Sequence, residues 1–148
     1  MMTQLFYTIK LRSLECANRV VVAPMCQYSS HDGDMSDWHL MRLGQYAVAG
    51  IGLVIAEATG VEPEGRITPG CPGLWSDSNE AAMERIVRFF RDYGHAKIGI
   101  QLAHAGRKAS TDAPWRGCRP LTAEQGACGK PSAPRRSPMA PAGILPRR

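Results

Sequence analysis

Residues 51–60 read IGLVIAEATG, and the fold turns on how that run is taken. It is apolar almost from end to end, with no alternation of polar and apolar positions. Such a run predicts a strand covered on both faces. Two similar runs lie on either side. NRVVVAPM (18–25) is β-branched and apolar, with Pro24 ending it, and AKIGIQLA (96–103) gives a third strand. Between the first two, SDWHLMRLGQYAVAG (36–50) predicts a helix capped by Ser36 or Asp37. Its apolar side includes Leu40, Leu43, Tyr46 and Ala47, and Gly50 stops it. After a Gly/Pro-rich loop, SDSNEAAMERIVRFFRDYGH (76–95) offers caps at Ser76 to Ser78. Met83, Ile86, Val87 and Phe90 come next at i, i+3, i+4, i+7 spacing, and Gly94 ends the helix.

Strands without polar alternation, separated by amphipathic helices, imply a parallel sheet covered by helices. A doubly wound sheet and a (β/α)8 barrel both fit that order. Ahead of the first strand, LFYTIKLRSLECANR (5–19) has the pattern of a hairpin that closes one end of a barrel. In either fold, reactive groups gather where the strands end at their carboxyl side. Those ends read APMCQYSS, AEATG and QLAHAGRK, and each carries small or polar residues where a ligand can approach.

The chain has 148 residues, the size of one ordinary domain. No apolar run is long enough to span a bilayer, and the N-terminus lacks a basic segment followed by a continuous apolar one. A cytoplasmic protein is the expectation. Five cysteines, at 16, 26, 71, 118 and 128, form no CxxC pair, and four histidines, at 31, 39, 95 and 104, have no HExxH-type spacing. Neither a disulfide framework nor a metal site is expected. The net charge of +5 resides in residues 129–148, where Lys130, Arg135, Arg136, Arg147 and Arg148 stand without an acid. Residues 1–128 are neutral overall, which argues against nucleic acid as a partner.

NRVVVAPMCQYSS, GLVIAEATGVEPEGRIT, GLWSD and KIGIQLAHAGRKA together resemble the Old Yellow Enzyme family of FMN-dependent ene-reductases. The cysteine in PMCQY is similar to that of its bacterial, cysteine-containing branch of NADPH dehydrogenases. The resemblance runs from about Leu5 to about Lys108. It implies a TIM barrel with FMN at the carboxyl face of the strands. It also implies a ping-pong reaction in which NADPH reduces the flavin, and reduced FMN gives hydride to an activated, enone-like alkene. Carried over by residue, Ala23, Pro24, Met25, Cys26, Ala58 and Gln101 match the FMN-contacting positions, and Tyr28 matches a substrate-contacting aromatic. No catalytic residue is assigned.

These residue types suit a flavin, whose reactivity depends on the hydrogen bonds and charge near its ring nitrogens. Gln101 can donate and accept at the pyrimidine edge, Cys26 offers a weak, polarizable S–H, and Ala23 and Ala58 keep the strand ends thin. Each also has a plainer reading. A free cysteine is ordinarily a small buried hydrophobe, and a lone tyrosine packs with its hydroxyl satisfied. A lone glutamine bonds neighbouring backbone. A structural network accounts for His104, Arg107 and Lys108 at least as well as ligand contact does, and Trp38 and His39 read as helix packing.

The chain departs from the family in extent. A closed barrel needs eight strands and about 250 residues, and three βα-type strands are visible. The family's histidine-containing pair that grips the substrate carbonyl, its proton-donating tyrosine, and the arginine and glycine-rich loop that hold the FMN phosphate have no counterpart in this sequence. Residues 129–148, rich in proline and without periodicity, read as a disordered tail. A change of reading frame near residue 128 would account for it, which the coding DNA tests. The chain is thus expected to be a truncated, incomplete barrel of about three βα units that binds FMN weakly or not at all and is inactive. The alternative is a non-catalytic fragment or pseudoenzyme with at most a partial flavin site. Full-length relatives are expected to be homo-oligomers.

Overall fold

The computed structural model describes residues 4–125; the Pro/Arg-rich segment 129–148 and Cys128 lie outside the described residues. A hairpin of β1 (Ile9–Leu11) and β2 (Leu14–Cys16) comes first, with Ile9 opposite Cys16. Next come β3 (Val21–Val22), α1 (Asp37–Val48), β4 (Leu53–Gly60), α2 (Asp77–Tyr93) and β5 (Lys97–Ala103). The last three strands form a parallel sheet in the order β3-β4-β5, with β4 in the centre.

The helices share one face, as two successive right-handed crossovers between neighbouring strands require. This order fits one half of a doubly wound sheet and an arc of a barrel alike. Here α1 and α2 pack against each other as well as on the sheet, α1 on β4 and α2 on β5. One core joins them: Ala47 from α1, Val54 and Ala56 from β4, Ile86 and Phe90 from α2, with Ile98 and Ile100 of β5 packed alongside. Both helices therefore lie on one side, as in an arc of a barrel wall. The sheet's other face, to which residues alternating with Ile98 and Ile100 project, carries no helix among the described residues.

The first strand is shorter than its sequence suggests. Of residues 18–25, only Val21 and Val22 pair with β4, and Val21 is exposed rather than buried. Asn18 accounts for the late start: its side chain accepts the Val20 N–H and donates to the Gly50 carbonyl, so the backbone bends there. Pro24 accounts for the early end, because it has no N–H to give a ladder. Both flanking strands are edges among the described residues, and β5 is correspondingly half-exposed rather than covered on both faces.

Helix starts obey the expected chemistry. Ser36 precedes α1 and Ser76 precedes α2, where the Ser76 hydroxyl accepts the Asn79 N–H. Asn79 is itself buried; its amide donates to Asp34 at 2.6 Å and to the Asp32 carbonyl, and its oxygen accepts the Trp75 N–H. Hydrogen bonds from Ser78 and Asn79 hold the Asp34 carboxyl below its ordinary range. Asn79→Ala is expected to destabilise the chain by about 1–3 kcal/mol, read from the urea midpoint of helical circular dichroism. Because the carboxyl is held low in the folded state, its share of stability is present at neutral pH and is lost as pH falls through that lowered range. The variant's deficit should accordingly shrink in acid.

Candidate functional site

Three chain segments meet around the carboxyl end of β4. The ladder between β4 and β5 slips by one residue there: Ala56 pairs with Ile100, but Ala58 pairs with Gln101. Glu57 is the extra residue, a bulge that re-aims the last turns of the strand. Ala58 thus stands beside Gln101 on the sheet. Gln101 is exposed, and its side-chain amide makes no hydrogen bond among the described residues. From the other side comes Cys26, half-buried, with the Ala58 amide and the Tyr28 hydroxyl turned toward its sulfur. The structure therefore brings Cys26, Tyr28, Ala58 and Gln101 together. Ala23, Pro24 and Met25 continue from β3 along its edge, Ala23 and Met25 exposed.

Burial, first of all, pushes the Cys26 thiol above its ordinary range, and the neighbouring Cys71 and Glu57 act in the same direction. The Tyr28 hydroxyl is pushed up to about 12, again mainly by burial and then by Cys26. Both groups therefore keep their protons at neutral pH. Tyr28 adopts φ +54°, a left-handed conformation that costs a bulky residue about 1–2 kcal/mol. It persists because the segment around it is tied on several sides. The Gln27 N–H donates to Glu57 Oε2 at 2.8 Å, the Gln27 amide donates to the Met25 carbonyl, and Trp38 Nε1–H donates to Gln27 Oε1. The Ser30 N–H reaches the Gly70 carbonyl at 2.9 Å.

Tyr28 also meets Trp115 edge to face, with ring centroids 5.7 Å apart. Together with Thr68, Gly70, Asp112 and Arg116 they line a cavity of about 500 Å3. Sequence reasoning did not single out Trp115, which lies in an irregular segment with no periodicity to point inward. It read His39 as helix packing, and the structure shows the ring buried in α1 with polar partners as well. His39 is fully buried, with Nε2 at 3.3 Å from the buried Glu57 Oε1 and Nδ1 accepting the Ser36 N–H at 3.0 Å. The signal for Glu57 was available: a carboxylate in the middle of an apolar strand needs a buried partner.

His104 makes contacts within the chain. Its Nε2 lies 2.6 Å from Glu62 Oε1 and its Nδ1 accepts the Gly106 N–H, which ties the end of β5 to the loop after β4. Arg107 and Lys108 are exposed in the adjoining 3-10 turn. Among the described residues no group of three His, Cys, Asp or Glu is placed to hold a metal, and no helix is long and apolar enough to cross a membrane.

The donor set fits a planar, amide-edged ring. An uncommitted carboxamide at Gln101, a small side chain at Ala58 and a protonated sulfur at Cys26 surround one strand end. The model of the NADH:flavin oxidoreductase / NADH oxidase family matches residues 4–134. The chain belongs to this family. An NADH:flavin oxidoreductase of Gibberella zeae is 45% identical over 123 residues, covering 83% of this chain and 30% of that protein. The NADPH dehydrogenase of Bacillus subtilis is 41% identical over 114 residues, or 76% of this chain and 33% of the relative. Among solved structures, morphinone reductase superposes with a TM-score of 0.65 at 35% identity, covering 70% of this chain and 27% of the other. An old yellow enzyme homologue from Zymomonas mobilis gives 0.65 at 32% identity, covering 71% and 29%. The fold is accordingly an arc of the TIM barrel these flavin oxidoreductases share, and the chain spans about a third of the length of its curated relatives. Family membership implies FMN and a nicotinamide nucleotide as cofactors.

Proposed function

We propose that this chain forms the first flavin-facing wall of an FMN-dependent, NADPH-oxidising ene-reductase of the cytoplasm, acting on a small activated alkene. The observation that carries the reading is the slipped register that sets Ala58 beside Gln101, with Cys26 turned to the Ala58 amide. When bound, FMN supplies the hydride chemistry. The chain's residues supply its seat. Gln101 donates from its N–H2 and accepts at its carbonyl, a pair matched to the alternating acceptors and donors along a pyrimidine edge. Ala58 leaves the backbone open to close approach, with Ala23, Pro24 and Met25 continuing that surface along β3. Cys26 presents an S–H, and Tyr28, whose hydroxyl is turned to the Cys26 sulfur and whose ring borders the cavity shared with Trp115, is the aromatic that contacts substrate. Full-length relatives are proposed to be homo-oligomers.

FMN titration of the full chain tests the seat. A weak, saturable change in the flavin's visible absorbance is expected at equilibrium, with the flavin released on desalting. Gln101→Ala should weaken that binding about ten-fold without altering the circular dichroism, because the side chain is exposed. An FMN spectrum unmoved by saturating chain, or binding indifferent to the Gln101 substitution, would overturn the assignment.

A further inference from the structure

We propose that the cavity between Tyr28 and Trp115 is a binding site for a flat aromatic ring that carries a carboxylate. In the reaction it selects activated alkenes whose substituent is such a ring. The inference rests on the ene-reductase reading for its purpose, but not for its test.

The wall is built before any ligand arrives. Residues 110–121 form a strap fastened to the loop after β4. The buried Thr111 donates its N–H to the Ile67 carbonyl at 2.9 Å and its hydroxyl to the same oxygen at 3.0 Å. The Leu121 N–H returns to the Ser110 carbonyl at 2.9 Å, and the Asp112 N–H donates to the Arg119 carbonyl at 2.8 Å, which closes the strap on itself. At its tip, Pro114–Arg116 is a 3-10 turn that ends at Gly117, with φ +94°. The turn sets the indole against Tyr28, and a side chain already fixed lowers the ordering cost of binding. Yet Trp115 is 68% exposed, and its Nε1–H meets no acceptor among the described residues. A tryptophan kept for packing alone buries most of its ring; this one touches Tyr28 and leaves most of its surface open.

The chemistry of the lining points to the ligand. Pro69, Ala113 and Leu121 join the two rings in an apolar body, and the volume of about 500 Å3 lies in the range of small-molecule sites. The polar groups are mostly unspent donors. The Thr68 hydroxyl already accepts the Gly70 N–H, and Asp112, the one acid of the lining, spends Oδ1 on the Ala113 N–H. Gln125 accepts the Thr122 N–H through its oxygen, which leaves its N–H2 uncommitted. Arg116, exposed beside Trp115 in the turn, makes no side-chain hydrogen bond or ion pair among the described residues. A guanidinium is a charged fork that receives two oxygens at once, the geometry of a carboxylate. A ring laid on Trp115, with its carboxylate on Arg116 and Gln125, therefore satisfies the donors that the chain leaves open. Because Tyr28 lines this cavity and also stands beside Cys26, a ligand held here adjoins the flavin seat.

The test is equilibrium dialysis of the full chain, without flavin, against 2-naphthoate and against 2-naphthamide, its uncharged counterpart. The wild type should bind the acid saturably and about ten-fold more tightly than the amide. Arg116→Gln should weaken the acid about ten-fold and leave the amide where it was. Trp115→Leu should weaken both about ten-fold, and Trp115→Phe should restore most of the loss. Both side chains are exposed, so the circular dichroism of the variants should match that of the wild type. Absence of saturable naphthoate binding would overturn the proposal, as would an amide that binds as well as the acid. Binding indifferent to Trp115→Leu, or an Arg116→Gln loss shared equally by the amide, would do the same. The comparison of acid with amide needs no variant, so it decides even where a substitution unfolds the chain. Naphthoate binding beside an unmoved FMN spectrum would overturn the flavin reading alone, and FMN binding without naphthoate binding would overturn this proposal alone.

Discussion

Gly70→Ala is expected to destabilise the chain by about 3 kcal/mol and to disorder the turn that carries Tyr28. A Cβ built on Gly70 lies 2.4 Å from the Tyr28 carbonyl oxygen and 2.8 Å from its carbon. Both are backbone atoms, so no rotamer change relieves the collision; one segment must back away from the other. The Ser30 N–H bond to the Gly70 carbonyl spans that gap and would be lost with it. Tyr28, at φ +54°, would then lose part of the support that holds it in a strained conformation. Since Gly70, Tyr28 and Trp115 line one cavity, the edge-to-face pair should open as well. The measurement is the urea midpoint, monitored by helical circular dichroism and by tryptophan emission. Gly106→Ala is the contrasting control: its φ of +54° is unfavourable to a side chain, but nothing lies within 4 Å of the added carbon. It should cost about 1 kcal/mol. A shift for Gly70→Ala no larger than that of Gly106→Ala would show that the close approach to Tyr28 is relieved at little cost.

Legibility in the sequence depended on period and punctuation. β4, α1 and α2 were legible because each is long, is apolar on the face it buries and is bounded by a serine or a glycine. The hairpin at 9–16, two mostly exposed strands of three residues each, was expected only from the place of its segment ahead of the first strand. β3 was not, because the side chain of Asn18 and the missing N–H of Pro24 act on hydrogen bonding, whereas a β-branched run reports only on side-chain packing. Barrel against doubly wound sheet was undecided because both bury the same strand. The difference lies in whether the sheet later reverses its strand order or closes on itself, which three strands do not encode. At the site, Cys26 and Gln101 could be found by their motifs. Their juxtaposition could not, since the slip at Glu57 alters the pairing by one residue and no period marks it.

His39→Leu is expected to destabilise by about 3–5 kcal/mol, more than removal of an ordinary hydrogen bond. Leucine packs well where histidine stood, so the loss is not one of volume. It comes from the polar groups left behind. Glu57 Oε1 would face an apolar side chain in a place with almost no solvent. The Ser36 N–H, one of the donors left over at the start of α1, would lose its acceptor as well. His39→Gln restores a donor for Glu57 and should recover most of the stability. Guanidinium unfolding of the three chains decides the matter. A deficit that glutamine does not repair would mean that His39 contributes shape rather than a hydrogen bond. The expected pattern would show that the polar residues buried beneath this strand end are kept for the hydrogen-bonded frame they give to Cys26 and Tyr28.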